Sequence, residues 1–163
     1  MFRMMRKFLL TAIFICGLSF SGNSQTSVAF RKIDSTHAFK DIIFGSSFTL
    51  AEKMMGLKKY AYNPANQYTI TDAKYLTIGP YTIVSGFAFF SKNNLYSVRL
   101  LITAGSPGTA FKEVIKYFTA WFGKPENREG AYVWFGNKVI FSIKDVKSNA
   151  VIDMQSRMIE FPQ

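Results

Sequence analysis

Cysteine and histidine are nearly missing from this chain: Cys16 and His37 are the only ones among 163 residues. A structural zinc site takes about four nitrogen or sulfur ligands, so no metal is expected, and nothing points to a cofactor. A disulfide cannot close within the chain. A histidine-based triad has only His37 to build on, and that residue lies in a stretch without hydrophobic period, where an ordinary surface histidine is expected. GxSxG, HExxH, P-loop and GxGxxG motifs are all absent, which removes the common signatures of nucleophilic, zinc-protease and nucleotide chemistry.

Acidic residues are also scarce, ten against twenty lysines and arginines. Catalysis by paired carboxylates needs two well-placed acids, drawn here from Asp34, Asp41, Glu52, Asp72, Glu113, Glu126, Glu129, Asp145, Asp153 and Glu160. Half of them stand beside a basic residue, as in Lys40-Asp41, Lys112-Glu113 and Lys144-Asp145-Val146-Lys147, which is the pattern of solvated faces and turn tips. No enzymatic activity is expected.

Long apolar runs are limited to one. Phe8 to Phe20 (FLLTAIFICGLSF) holds 13 residues, short of the roughly 20 that span a bilayer. Arg3, Arg6 and Lys7 precede it, and small residues follow, with Gly22 and Ser24 in the −3 and −1 places before Gln25. That is the layout of a secretory signal peptide. Ile15 stands before Cys16 where lipoprotein processing wants a small residue, so lipidation is not expected. The expected organisation is a signal peptide over 1–24 and a single domain over 25–163, exported to the periplasm or beyond. Cleavage near Ser24/Gln25 would leave 139 residues without a transmembrane segment. It takes away the cysteine and three of the twenty basic side chains but no acidic one, for a net charge of +7.

The strongest pattern in the remainder is Ser106 to Pro125 (SPGTAFKEVIKYFTAWFGKP). Phe111, Val114, Ile115, Phe118, Trp121 and Phe122 follow the spacing of one helix face, while Lys112, Glu113, Lys116 and Thr119 take the other. Ser106 and Pro107 suit the start, and Gly123 and Pro125 the end. The spacing predicts that all six apolar residues, Trp121 included, are buried. A second, shorter helix is expected after Gly45-Ser46-Ser47, with Thr49 and Glu52 at capping-box spacing, Leu50, Met54 and Leu57 on one side and Gly56 as its stop.

Strand-like runs surround both helices. Phe39 to Phe44 leads, followed by Lys74 to Ile78, Tyr81 to Phe90 and Leu95 to Ala104, the last with Tyr96, Val98, Leu100 and Ile102 on one face and Arg99 on a wet one. Tyr132 to Phe135 and Val139 to Ile143 flank the Gly136-Asn137 turn, and Ala150 to Arg157 alternates Ile152 and Met154 with Asp153 and Gln155. This order predicts an α+β fold, an antiparallel sheet covered on one face by two helices. It also reads as a diverged tandem of two helix-plus-three-strand units.

Gly45-Ser46-Ser47 with a short helix ending at Gly56 resembles the helix start of the small outer-membrane assembly lipoprotein (SmpA/OmlA) domain. Trp121-Phe122-Gly123-Lys124-Pro125 followed by Trp134 is similar to the Gly-x-Pro and Trp pattern of the same family. In outline the tandem resembles the beta-lactamase inhibitor protein, which uses two helix-plus-sheet units. The resemblance implies an exported module that binds other proteins. The chain departs from the assembly family in lacking its lipidated cysteine.

Tyr60 to Asp72 (YAYNPANQYTITD) reads as a surface loop around Asn63-Pro64. Tyr60, Tyr62 and Tyr68 in that loop, with Lys58 and Lys59 just before it, make the expected partner-binding site: rings give contact area and cations steer approach. The expected partner is another envelope protein or an anionic surface, and an exported protein is not expected to meet nucleic acid. The alternative is a binding protein for a small ligand, anionic glycan or lipid head group, with a pocket between helix and sheet lined by Phe87, Phe89 and Tyr96. A hydrolase without a recognised motif is the third reading.

Overall fold

A computed structural model describes residues 34–35, 37–60, 66–103, 109–147 and 149–160. The signal-peptide reading, Tyr62, the Asn63-Pro64 turn and the Ser106-Pro107 helix start lie outside the described residues. Two helices are packed against one eight-stranded antiparallel sheet, the α+β arrangement that the sequence predicts. α1 is Phe48–Met55 and α2 is Thr109–Phe122. The first half of the sheet uses β3 (Leu57–Lys59), β4 (Gln67–Ile70), β7 (Ser85–Ser91) and β8 (Asn94–Thr103). The second uses β9 (Glu126–Arg128), β10 (Ala131–Phe135), β11 (Val139–Val146) and β12 (Asn149–Ser156). Among the described residues there are also two small hairpins, β1 (Ala38–Phe39) with β2 (Ile42–Ile43) and β5 (Thr77–Ile78) with β6 (Tyr81–Thr82), and a 3-10 turn over Ala73–Tyr75.

Strand order is β3-β4-β7-β8-β12-β11-β10-β9. Each half is therefore a helix followed by a four-stranded antiparallel series, and the last strands of the two halves, β8 and β12, pair at the centre. The units hold four strands rather than the expected three. In the second half the extra strand is β9. In the first, β3 and β4 are both unforeseen, while the expected strand Lys74 to Ile78 forms a 3-10 turn over Ala73–Tyr75 and the short β5, outside the main sheet. Runs of three or four residues are too short for an alternating pattern to register. The helix ends repeat as well. Gly56 and Gly123 follow their helices at φ 59° and 79°, in the left-handed region that favours glycine. Their amides donate to the carbonyls of Glu52 and Thr119, and the chain then turns straight into β3 or β9.

At the start of α1 the structure moves the cap. Ser47, not Thr49, precedes the helix and accepts from the Leu50 amide through its hydroxyl. Ala51 and Met55 are the buried positions, and Leu50 is exposed. α2 differs from expectation at one residue. Val114 and Phe118 are buried and Phe111, Ile115 and Phe122 half-buried, but Trp121 is 52% exposed. It lies at the edge of the apolar stripe, against Tyr117 at 6.2 Å between rings. Tyr117 joins the core margin in its place and packs edge-on against Phe118 and Tyr81.

Both helices cover the same face of the sheet, because a single cluster of buried side chains takes in Ala51 and Met55 from α1 and Val114 and Phe118 from α2. The sheet supplies Ile70, Ala88, Val98, Leu100, Ile102, Ile152, Ile143, Phe141 and Trp134 to it. The β5–β6 turn seats this layer closely. Gly79 has φ 54°, and a Cβ there would come within 2.5 Å of the Tyr117 ring, so only glycine fits.

The β1–β2 hairpin is pinned by a polar cluster. The buried Tyr75 donates its hydroxyl to Asp41 Oδ1 at 2.6 Å, and Lys74 Nζ donates to Asp41 Oδ2. These two donors, Lys74 first, hold the Asp41 carboxyl down to about 2. Burial, together with the Asp41 bond, pushes the Tyr75 phenol well above its ordinary range. A carboxyl whose folded pKa is depressed stabilises fully above its unfolded value of 3.8 and loses that contribution as pH falls through its folded one. Between roughly pH 4 and pH 2 the wild type should therefore lose stability relative to Asp41→Asn. Urea titrations of both proteins at pH 6, 4 and 2 check this; parallel curves would mean that the pair adds nothing.

Candidate functional site

Alternation along the strands divides the predicted contact residues between the two faces of the sheet. On β3, Lys58 points away from the helices and Lys59 toward them, since Lys59 pairs with Tyr68 and Lys58 with Thr69. Tyr68 is not in a loop. It sits on β4, with its ring 4.6 Å from Phe48 and 5.5 Å from Phe90, packed on the core. Lys58 and Lys59 likewise lie on a strand rather than before a loop. The four residues of β4, close to Asn63-Pro64 in sequence, are too few for an alternating pattern to mark a strand. Tyr60 goes to the opposite face from Tyr68, where its ring meets Phe87 edge-on at 5.2 Å.

Phe87, Phe89 and Tyr96 do come together, but not between helix and sheet. They lie on the helix-free face. Gly86 and Ala88 turn toward the core, which directs Phe87 and Phe89 outward. Tyr96 follows through an irregularity that sequence periodicity misses: Phe89 pairs with Ser97 and Phe90 with Leu95, so Tyr96 is an extra residue in β8. Such a bulge shifts the alternation by one. Leu95 and Val98 both enter the core, and Tyr96 leaves the Val98–Leu100–Ile102 face to meet Phe89 at 6.4 Å between rings.

The pairing register lays out this face as rows. One row crosses all eight strands: Lys58, Thr69, Phe87, Arg99, Asp153, Ser142, Val133 and Glu126. The next runs Gln67, Phe89, Ser97, Gln155, Ile140 and Phe135. At the centre, where the halves meet, Arg99 Nε donates to Asp153 Oδ1 at 2.7 Å, and the guanidinium lies 5.5 Å over the Phe89 ring. Ser142 and Gln155 join them around a depression of about 230 Å³ that Phe89 and Tyr96 wall on one side. Burial raises the Tyr96 phenol, so it stays a neutral donor, and the Arg99 charge offsets this in part. Toward the other edge Arg128 repeats the device, paired with Glu126 at 2.7 Å and 4.4 Å over the Phe135 ring. Both ion pairs stand in solvent and add little to stability. What they do is hold two guanidinium groups over aromatic rings.

Among the described residues no three His, Cys, Asp or Glu side chains gather as a metal site. His37 is half-buried beside β1, with Nε2 3.2 Å from Ser156 Oγ. Burial and the Lys138 charge lower its pKa, with Asp34 opposing. Asp34 itself accepts the Asn137 and Lys138 amides at 2.9 and 2.8 Å and so caps the β10–β11 turn. Among the described residues no helix is long and apolar enough to cross a membrane. The chain matches no family model, no curated protein and no solved structure.

Proposed function

We propose that this chain is an exported, non-catalytic binding module that holds another envelope protein against the helix-free face of its sheet. One observation carries the reading: that face bears Tyr60, Phe87, Phe89, Tyr96, Ile140 and Phe135, with arginines lying on two of the rings. The solvated side of an antiparallel sheet is ordinarily polar. Aromatic residues and arginine are the types enriched in protein interfaces and their hot spots. Lys58 on this face and the mature charge of +7 favour an acidic partner, steering its approach without adding much affinity. The Arg, Arg, Lys and apolar start of the chain supports export, and the tandem resemblance points to the same class of module.

A photo-crosslinking amino acid placed at Phe87 or Tyr96 tests the surface in living cells. It should capture one discrete envelope protein, whereas the same probe at Lys116 on the exposed side of α2 should capture none. N-terminal sequencing of the recovered protein should begin at Gln25. Capture from Lys116 alone, or equal capture from both faces, would move the interface to the helices, and a start at Met1 would remove the export step.

A further inference from the structure

We propose a second site, on the opposite side of the sheet: an apolar cavity under the β1–β2 hairpin that takes the tail of a medium-chain carboxylic acid, with Lys40 holding its carboxylate. The cavity, open on one side, holds about 200 Å³ between α2, the hairpin and the sheet, and its walls include Phe118, Phe122, Phe141, Met154 and Ile78. The Phe118, Phe122 and Phe141 rings pack on one another at 4.6 to 5.7 Å, so the wall is preformed. An apolar cavity of about 150 Å³ stays dry and accepts benzene. One of this size has room for a chain of roughly six to eight carbons.

Lys40 is the one charged residue among those lining the cavity. It occupies the first turn position of the hairpin at φ 56°, where a side chain is uncommon and asparagine is better tolerated than lysine. Lys40 Nζ donates to the Lys74 carbonyl and to Thr77 Oγ1 at 2.9 Å. Among the described residues no carboxylate lies within ion-pair distance of it, since the neighbouring Asp41 is taken by Lys74 and Tyr75. Burial, then the nearby Lys74 charge, lower the Lys40 pKa, with the Asp41 and Asp72 charges opposing, and an anion held at Nζ would act in the same direction as those two carboxylates. A cation outside any ion pair among the described residues, beside an open apolar cavity, selects a ligand with a negative head and a hydrocarbon tail.

Calorimetric titration with octanoate, octylamine and acetate decides the matter, with the Met154 methyl followed by NMR to place the ligand. Octanoate should bind and shift the Met154 signal. Octylamine, with the same chain and the opposite charge, should bind at least about tenfold more weakly, and acetate should not bind measurably, because charge-assisted bonds and tail burial are both required. Lys40→Asn relieves the turn, so its melting temperature should hold or rise while octanoate binding weakens about tenfold or more. Ala38→Leu, which fills the cavity from the hairpin side, should weaken octanoate with Lys40 intact. Equal binding of octanoate and octylamine, an unmoved Met154 signal, or wild-type affinity in Lys40→Asn would each overturn the proposal. The helix-free face is untouched by these variants, so the two sites fail or stand separately.

Discussion

Trp134→Ala should cost about 3–5 kcal/mol of folding free energy, the loss typical of emptying a buried aromatic site. Trp134 is fully buried, and its ring lies 5.6 Å from Phe141 and 6.3 Å from Phe122. Its indole N–H donates to the Gly123 carbonyl at 2.7 Å, which ties β10 to the end of α2. Truncation therefore removes volume and also leaves a helix-end carbonyl without its donor. Trp134→Phe keeps most of the ring and loses the hydrogen bond, so a cost on the order of 1–3 kcal/mol is expected. Trp121→Ala should cost no more than about 1 kcal/mol, because more than half of that side chain is in solvent. Urea titrations followed by far-UV circular dichroism, which does not depend on the missing indole, rank the three. Equal costs for Trp121 and Trp134 would contradict the packing of α2.

The second large effect is expected at the seam between the halves. Leu100 on β8 is fully buried and pairs with Ile152 on β12, itself fully buried, while its other neighbour is Gly86 on β7. Gly86 offers no side chain to fill a gap, and both flanking strands are held by their ladders, so the site has little means to collapse. Leu100→Ala should cost about 2–5 kcal/mol. Both tryptophans lie in the second half of the chain, which makes fluorescence a reporter of that half alone. If the seam couples the halves into one cooperative unit, the fluorescence and circular dichroism midpoints should fall together in this variant. A fluorescence midpoint left at the wild-type value would show that the second half folds independently of the first.

Local chemistry made the outline readable. Gly56 and Gly123 end their helices where glycine is needed, the Val114–Phe118 stripe is buried, and Gly136-Asn137 turns β10 into β11. Each of these depends on residues close in sequence, where a period of 3.6 or 2 or a required positive φ leaves its mark. The short edge strands β3 and β9 lacked the length to show a period, and the Tyr96 bulge changed the period midway through β8. Trp121 is exposed for a related reason: a helical stripe has margins, and whether a marginal residue is covered depends on what packs beside it.

The candidate site was legible only in its parts. Tyr60, Lys58, Phe87, Phe89 and Tyr96 stand out in the sequence as aromatic and basic residues, yet which of them share a surface depends on strand pairing between segments far apart. Tyr68 and Lys59 were lost from the group, and Arg99, Asp153 and Phe135 joined it, through register alone: shifting one strand by a residue sends its side chains to the other face. The cavity at Lys40 had no local signal, since its walls come from a hairpin, a helix and three strands. By itself the sequence determined the scarcity of cysteine and histidine, the net charge, the positions of the helices and the α+β class. The union of β8 with β12, the helix-free aromatic face and the lysine over an apolar cavity were decided by tertiary structure, because contacts between distant residues follow from pairing and packing, which no local period encodes.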